Sequence, residues 1–414
     1  MPVWQRRSIG EVHTEVSDWD KLEGIRLLKR LGPLLTRLRS AGCQRDKAGN
    51  RELFFDQVCQ LVLLTFFNPC AVTLRDLRQA SRLAQVKKRL GCREASLGSL
   101  SEALRVFDAD LLAEIVQELL AQIPQSSDAR LKALAHVPTA VDGTLLKELP
   151  QITQACYATR RDLGWKLHTH FEILRGVPTQ ARVTDASCAG ATAEAAMLKS
   201  MLQSDRCYVT DRGYESFSLF NAIRSAGSSY VCRVRNEHYF TASESRPLSG
   251  EAQAAGVLKD ELGRMGSPNS KRAEPIDHLQ RRIEVRVLEH LRGPTRKQKT
   301  VTRDLVLATN LTDVPAEVIV LLYRFRWLIE LFFRWLKCVL SCRHLISQSA
   351  NGIQIQMYCA LIACLLVQLA TGQKLRPNQW TYKLLCLYAQ GWATEEEVLA
   401  HLREREEASQ KSAD

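Results

Sequence analysis

The sequence has no Cys-x-x-Cys pair, no Walker-type phosphate loop, no GxGxxG turn and no nucleophile elbow in its 414 residues. Chemistry that depends on ATP, a nicotinamide or an activated serine therefore finds no support. Met1 to Asp20 carries several charges and no apolar stretch, so no secretory leader is expected. Thirteen cysteines, an odd number, then argue for free thiols in the cytosol and against a disulfide framework. Cys359, Cys364 and Cys386 sit among Leu, Ile and Ala, where a thiol behaves as a small hydrophobe. The most apolar run, Met357 to Ala370, is shorter than the roughly 20 residues of a membrane span and contains Gln368. It reads as a buried helix, and no membrane partner is expected.

Positive charge is what the sequence has in excess. Lys and Arg number 57 against 45 Asp and Glu, a net charge of +12, which suits a polyanionic partner and nucleic acid first. Residues 1–130 read as a basic helical domain for DNA binding, with helices over Leu22 to Leu38, Glu52 to Phe67, Leu74 to Leu90 and Asp110 to Ile123. Ser99-Leu100-Ser101-Glu102 has capping-box spacing ahead of another. From residue 131 strands and helices alternate. His136 to Val141 is a short strand ending at Asp142-Gly143-Thr144, and Cys207 to Thr210 is another ending at Asp211. The fold class is α/β: a mixed-sheet core over 131–235 and 306–350, a β-rich insertion over 236–305, and a helical region over 351–414. One long helix is expected from Pro315 to about Val339.

Chemistry concentrates at three carboxylates. Asp142 and Asp211 each end a short apolar strand, where open sheets assemble sites, although Asp-Gly is also ordinary turn chemistry. Glu330 lies in a segment whose charges form a stripe. At roughly 100° per residue, Tyr323, Arg326, Glu330, Arg334 and Lys337 fall within an arc of about 80°, with apolar residues outside it. An internal ion-pair zipper, Arg326 with Glu330 and Glu330 with Arg334, would account for three of the five. Two Asp at strand ends and a Glu on a facing helix would instead form an all-oxygen cluster, suited to two hard cations and in-line phosphoryl transfer. The flanking cations would hold DNA phosphates.

Tyr323, Arg326, Glu330 and Lys337, at intervals of three, four and seven, match the YREK signature, and the chain resembles the insertion-sequence-four family of DDE transposases. Trp327 after the Arg, Val141-Asp142-Gly143-Thr144 and Thr210-Asp211-Arg212-Gly213-Tyr214 also look like that family. The resemblance covers about 130–370 and implies a ribonuclease H-like fold. It implies that Asp142, Asp211 and Glu330 bind two Mg²⁺ or Mn²⁺ ions for cutting transposon ends and joining 3′-hydroxyls to target DNA. Tyr323, Arg326 and Lys337 would grip phosphates, with Trp327, Arg212 and Arg334 as further DNA contacts. Tyr239 or Phe240 of the insertion would hold a flipped base. The implied partners are double-stranded DNA, both transposon ends and target, and a second copy in a homodimer assembled on it. The implied place is the bacterial cytoplasm, at the nucleoid.

His168 and His170 share a strand face, which reads as sheet packing rather than a metal pair. Asp185 reads as a turn cap. Two other functions stay open: a purely hydrolytic nuclease of the same fold, and an inactive DNA-binding descendant.

Overall fold

The computed structural model describes residues 31, 33–40, 52–67, 72–90, 93–125, 128–131, 134–147, 164–186, 190, 193–266, 275–292, 298–338, 340, 342, 344–371, 379–389 and 392–410. Nine strands form one sheet: β1 Val137–Lys147, β2 Gly164–Glu172, β3 Val177–Asp185, β4 Arg206–Thr210, β5 Ser229–Val234, β6 Phe240–Ser245, β7 Val257–Met265, β8 Gln280–Arg292 and β9 Gln298–Thr309. Their order is β3-β2-β1-β4-β5-β9-β8-β7-β6. β1, β4 and β5 are parallel neighbours, and β2 is antiparallel to both β1 and β3. That first half, with helices over its faces, is the ribonuclease H-like arrangement. β9 joins antiparallel to β5, so β6–β9 extend the same sheet.

Strand alternation feeds two layers. Ala140, Leu146, Cys207, Val209 and Val231 enter a large core cluster, while Val141, Tyr208, Tyr230 and Cys232 enter a smaller one on the opposite face. The large cluster includes residues of α1 Phe55–Phe67, α2 Leu74–Arg82, α4 Leu97–Val106 and α5 Leu111–Ala121, with α3 Ala84–Leu90 between α2 and α4. The smaller one is covered by α6 Glu194–Ser200 and α7 Phe217–Ser225, ahead of the short α8 Gly250–Ala254. After β9 come α9 Ala316–Phe325, α10 Trp327–Cys338, α11 Ala350–Thr371, α12 Gln379–Ala389 and α13 Glu395–Gln410.

Several expectations change. The basic helix over 74–90 breaks at Leu83, whose backbone is extended after the capping-box helix α2. α4 starts at Leu97, because Ser96 caps it by accepting from Ser99 N–H. The 315–339 helix divides at Arg326, whose N–H bonds three residues back to Tyr323. The segment 350–369 is long and apolar enough to cross a membrane by length and composition, contrary to the sequence reading, yet 94% of that window is buried. Its polar residues are used inside: Gln354 bonds the β3 backbone at Ala181 and Val183, and Gln368 donates to the Arg175 carbonyl. Most of the helix expected over 22–38 lies outside the described residues.

Candidate active site

Register places the two aspartates at one end of the sheet. The β1–β4 parallel ladder closes at Ala140 and Val209, and Asp142 and Asp211 each lie two residues beyond. β1 does not end at Asp142, as the sequence suggested, because β2 supplies partners as far as Lys147. Asp142 Oδ1 accepts from Gly143 N–H at 2.7 Å. Asp211 caps a 3-10 turn, Arg212–Tyr214, by accepting from Gly213 N–H at 2.8 Å.

Alternation turns Asp142 and Thr144 to the face of Ala140, where α10 packs. The Arg326 guanidinium, at the break between α9 and α10, bridges two carboxylates. One nitrogen lies 3.5 Å from Asp142 Oδ2, and another donates to Glu330 Oε1. Its carbon stands 5.9 Å from the Tyr323 ring centroid. Lys337 donates to Thr144 Oγ1 at 2.6 Å, which ties the far end of the stripe to β1. Arg334 is exposed and forms no ion pair with Glu330, so the zipper accounts for Arg326 and Glu330 alone. Trp327 is 49% exposed, and Arg212 is exposed beside Asp211.

Burial pushes the Asp142 carboxyl up to about 6, and the Asp211 and Glu194 charges add to the rise, against the Gly143 N–H and Arg326. Burial likewise raises the Tyr323 phenol, which Arg326 partly offsets. No group of three or more carboxylate, thiol or imidazole side chains among the described residues is disposed to hold a metal ion. The donor chemistry still fits a hard cation: the groups are oxygens, and Asp142 sits in more negative charge than Arg326 offsets.

Glu194 and Lys166 escaped the sequence reading, and Thr144 and Tyr214 entered it only as members of the two aspartate motifs. Glu194, at the start of α6, pairs with Lys166 of β2. Thr144 receives Lys337, and Tyr214 is fully buried with its hydroxyl unpartnered. The one available signal was Lys166, a charge alternating with the buried Leu167 and His168 along β2.

The histidine reading changes in part. His168 Nε2 lies 3.0 Å from Thr184 Oγ1, but neither ring nitrogen of the buried His170 has a hydrogen-bond partner. Asp185 is exposed at the end of β3. Tyr239 is 56% exposed and lines a cavity of about 990 Å³ with Phe217, Arg264 and Leu279. Phe240 packs against the smaller core cluster, under the Arg282 guanidinium.

A family model, the transposase DDE domain, matches residues 134–366. A protein of Sinorhizobium fredii named as a transposase, y4zB, is 28% identical over 224 residues, 54% of this chain and 56% of that one. A protein of Geobacillus stearothermophilus named as a transposase for insertion sequence element IS5377 is 38% identical over 66 residues, 16% of this chain and 18% of that one. The match thus spans about half of the first relative's length and less of the second's. A piggyBac transposase synaptic complex with hairpin DNA, solved by cryo-EM, aligns with a TM-score of 0.37 at 10% identity, over 94% of this chain and 86% of that one.

Proposed function

The chain belongs to the transposase DDE domain family, and from that premise we propose that it is the transposase of an insertion sequence, cutting its element's ends in double-stranded DNA and joining the freed 3′-hydroxyls to target DNA. The observation that carries the reading is that Asp142 and Asp211 leave the β1–β4 ladder side by side, with Arg326 joining Asp142 to Glu330 of the facing helix.

In this reading Asp142, Asp211 and Glu330 hold Mg²⁺ or Mn²⁺, two ions, which supply Lewis acidity for in-line phosphoryl transfer. The chain's own residues position the DNA. The Arg326 guanidinium presents a planar fork suited to a phosphate. Lys337, anchored on Thr144, sets a second positive charge along the same stripe, and Tyr323 offers a hydroxyl at its opposite end. Exposed Arg212, Arg334 and Trp327 extend the contact surface outward. Of the two insertion aromatics we assign base stacking to Tyr239, which is exposed on a cavity, whereas Phe240 is engaged in packing. A homodimer assembled on two element ends, in the bacterial cytoplasm at the nucleoid, completes the proposal.

The test is strand cleavage of a duplex carrying the element's own end, with Mg²⁺ or with EDTA, beside Glu330→Ala. Metal-dependent nicking at the end, lost in the variant while DNA binding persists, is the expected result. Binding without cleavage by the unaltered protein would point to an inactive descendant, and cleavage without joining to a hydrolytic nuclease. Cleavage that survives Glu330→Ala would refute the site.

A further inference from the structure

Glu330 is linked to Asp142 through Arg326, from the layer of α10; Glu194 approaches the aspartate ends of β1 and β4 from the opposite layer, on α6. Its two oxygens are in defined places. Oε1 pairs with the Lys166 ammonium and lies 3.5 Å from the point where a Cβ on Gly143 would stand. Oε2 lies 2.3 Å from the corresponding point on Gly213, and Asp211 Oδ1 lies 3.1 Å from that same point. The carboxylate is therefore wedged between the glycine after Asp142 and the glycine two residues after Asp211. A side chain at Gly213 would collide with it.

A group of carboxylates alone would say little, since acidic residues gather on many surfaces. The second observation is Tyr214. It is fully buried, its hydroxyl has no partner, and that hydroxyl lies in the field of Glu194, Asp142 and Asp211. A buried hydroxyl left unbonded is costly, so its persistence in the field of three carboxylates marks a place built for more than packing. Lys166 and Glu194 are themselves only 10% and 24% exposed. Such a pair is weak as a source of stability, because taking both charges from water offsets most of their attraction.

We propose that Glu194 is a fourth carboxylate of the active site, a divalent-cation ligand acting with Asp142 and Asp211, with Lys166 as the residue that positions it. The proposal rests on the transposase reading of this site. It predicts a ligand contributed from each layer of helices rather than from α10 alone.

The test is direct Mn²⁺ binding to the full-length protein without DNA, by calorimetry, for the unaltered chain, Glu194→Gln and Asp142→Asn. Circular dichroism establishes that each variant is folded. Glu194→Gln is expected to weaken Mn²⁺ binding by about tenfold or more, as Asp142→Asn does. Glu194→Gln removes the charge opposite the Lys166 ammonium, so a second variant, Lys166→Met with Glu194→Gln, removes both charges and is expected to show the same loss with stability retained. Unchanged Mn²⁺ affinity in both Glu194 variants, alongside loss in Asp142→Asn, would overturn the role of Glu194 and leave the transposase reading standing. Absence of saturable Mn²⁺ binding in the unaltered protein would overturn Glu194 as a ligand together with the cation site itself.

Discussion

Of the nine residues assigned to the site from sequence, Asp142, Asp211 and Glu330 drew attention because each sits in a pattern that local chemistry reads: an Asp closing a short apolar run, or a charge on a mostly apolar helix. Glu194 was not legible. Within Ala193-Glu194-Ala195-Ala196 it looks like any exposed helical carboxylate, and its place depends on Lys166, 28 residues earlier, and Gly213, 19 later. His170 misled in the other direction, as a histidine taken for a satisfied sheet residue. Burial lowers it to about 3, helped by Arg206 and His168, from an ordinary value near 6.5. The fold thus favours its neutral form. The stability this contributes is complete above about pH 6.5 and is lost as pH falls toward 3, while the unfolded chain takes up the proton. His170→Phe removes the titration and two unpaired nitrogens, and its ring can keep the edge contact with Tyr208. Urea unfolding at pH 7 and pH 4 should show the variant losing roughly 3 kcal/mol less than the parent between the two. Equal losses would mean that His170 does not titrate with folding.

At the scale of elements, periodicity gave the type of each segment and missed its breaks. The helix over 315–339 has an unbroken apolar pattern, yet it divides at Arg326, where the guanidinium bonds Asp142 and Glu330. No property of residues 323–337 alone announces that, because Asp142 comes from another strand. The junction of the insertion strands with α9 has the same character. Arg281 of β8, 3% exposed, forms a two-pronged ion pair with Asp260 of β7 and donates to the carbonyls of Leu311, Thr312 and Val314 just before α9. Removing one partner leaves a buried charge unpaired, so Arg281→Ala should cost about 3–5 kcal/mol in denaturant unfolding. Asp260→Leu combined with Arg281→Met should recover most of that, since no lone charge remains. A double variant as unstable as Arg281→Ala would show that the carbonyl bonds, not the ion pair, hold this junction.

For the whole molecule, helices lie before and after one nine-stranded sheet, and their packing was not readable from composition. The described N-terminal helices do not form a core of their own. Leu63, Leu104 and Leu119 share one apolar cluster with Ala140 and Val209 of the sheet and Leu361 of α11. Asn351, at the start of α11, donates to the carbonyls of Leu104 and Phe107, and Gln117 of α5 donates to the Thr179 carbonyl in β3. A helix as apolar as α11 stays in water only while such neighbours cover it, because its exposed area would cost about 25 cal/mol per Å². Two consequences follow for unfolding. Far-ultraviolet circular dichroism, reporting all helices, and tryptophan fluorescence, to which Trp165 and Trp335 beside this core contribute, should give coincident thermal transitions. A fragment of residues 131–414 should expose α11 and β3 and aggregate, or bind a hydrophobic dye strongly, where the full chain does not. A fragment that stays monomeric, with a sharp transition of its own, would show that the helices before residue 131 are a covering the sheet can do without, and would place DNA contact rather than folding as the reason for their presence.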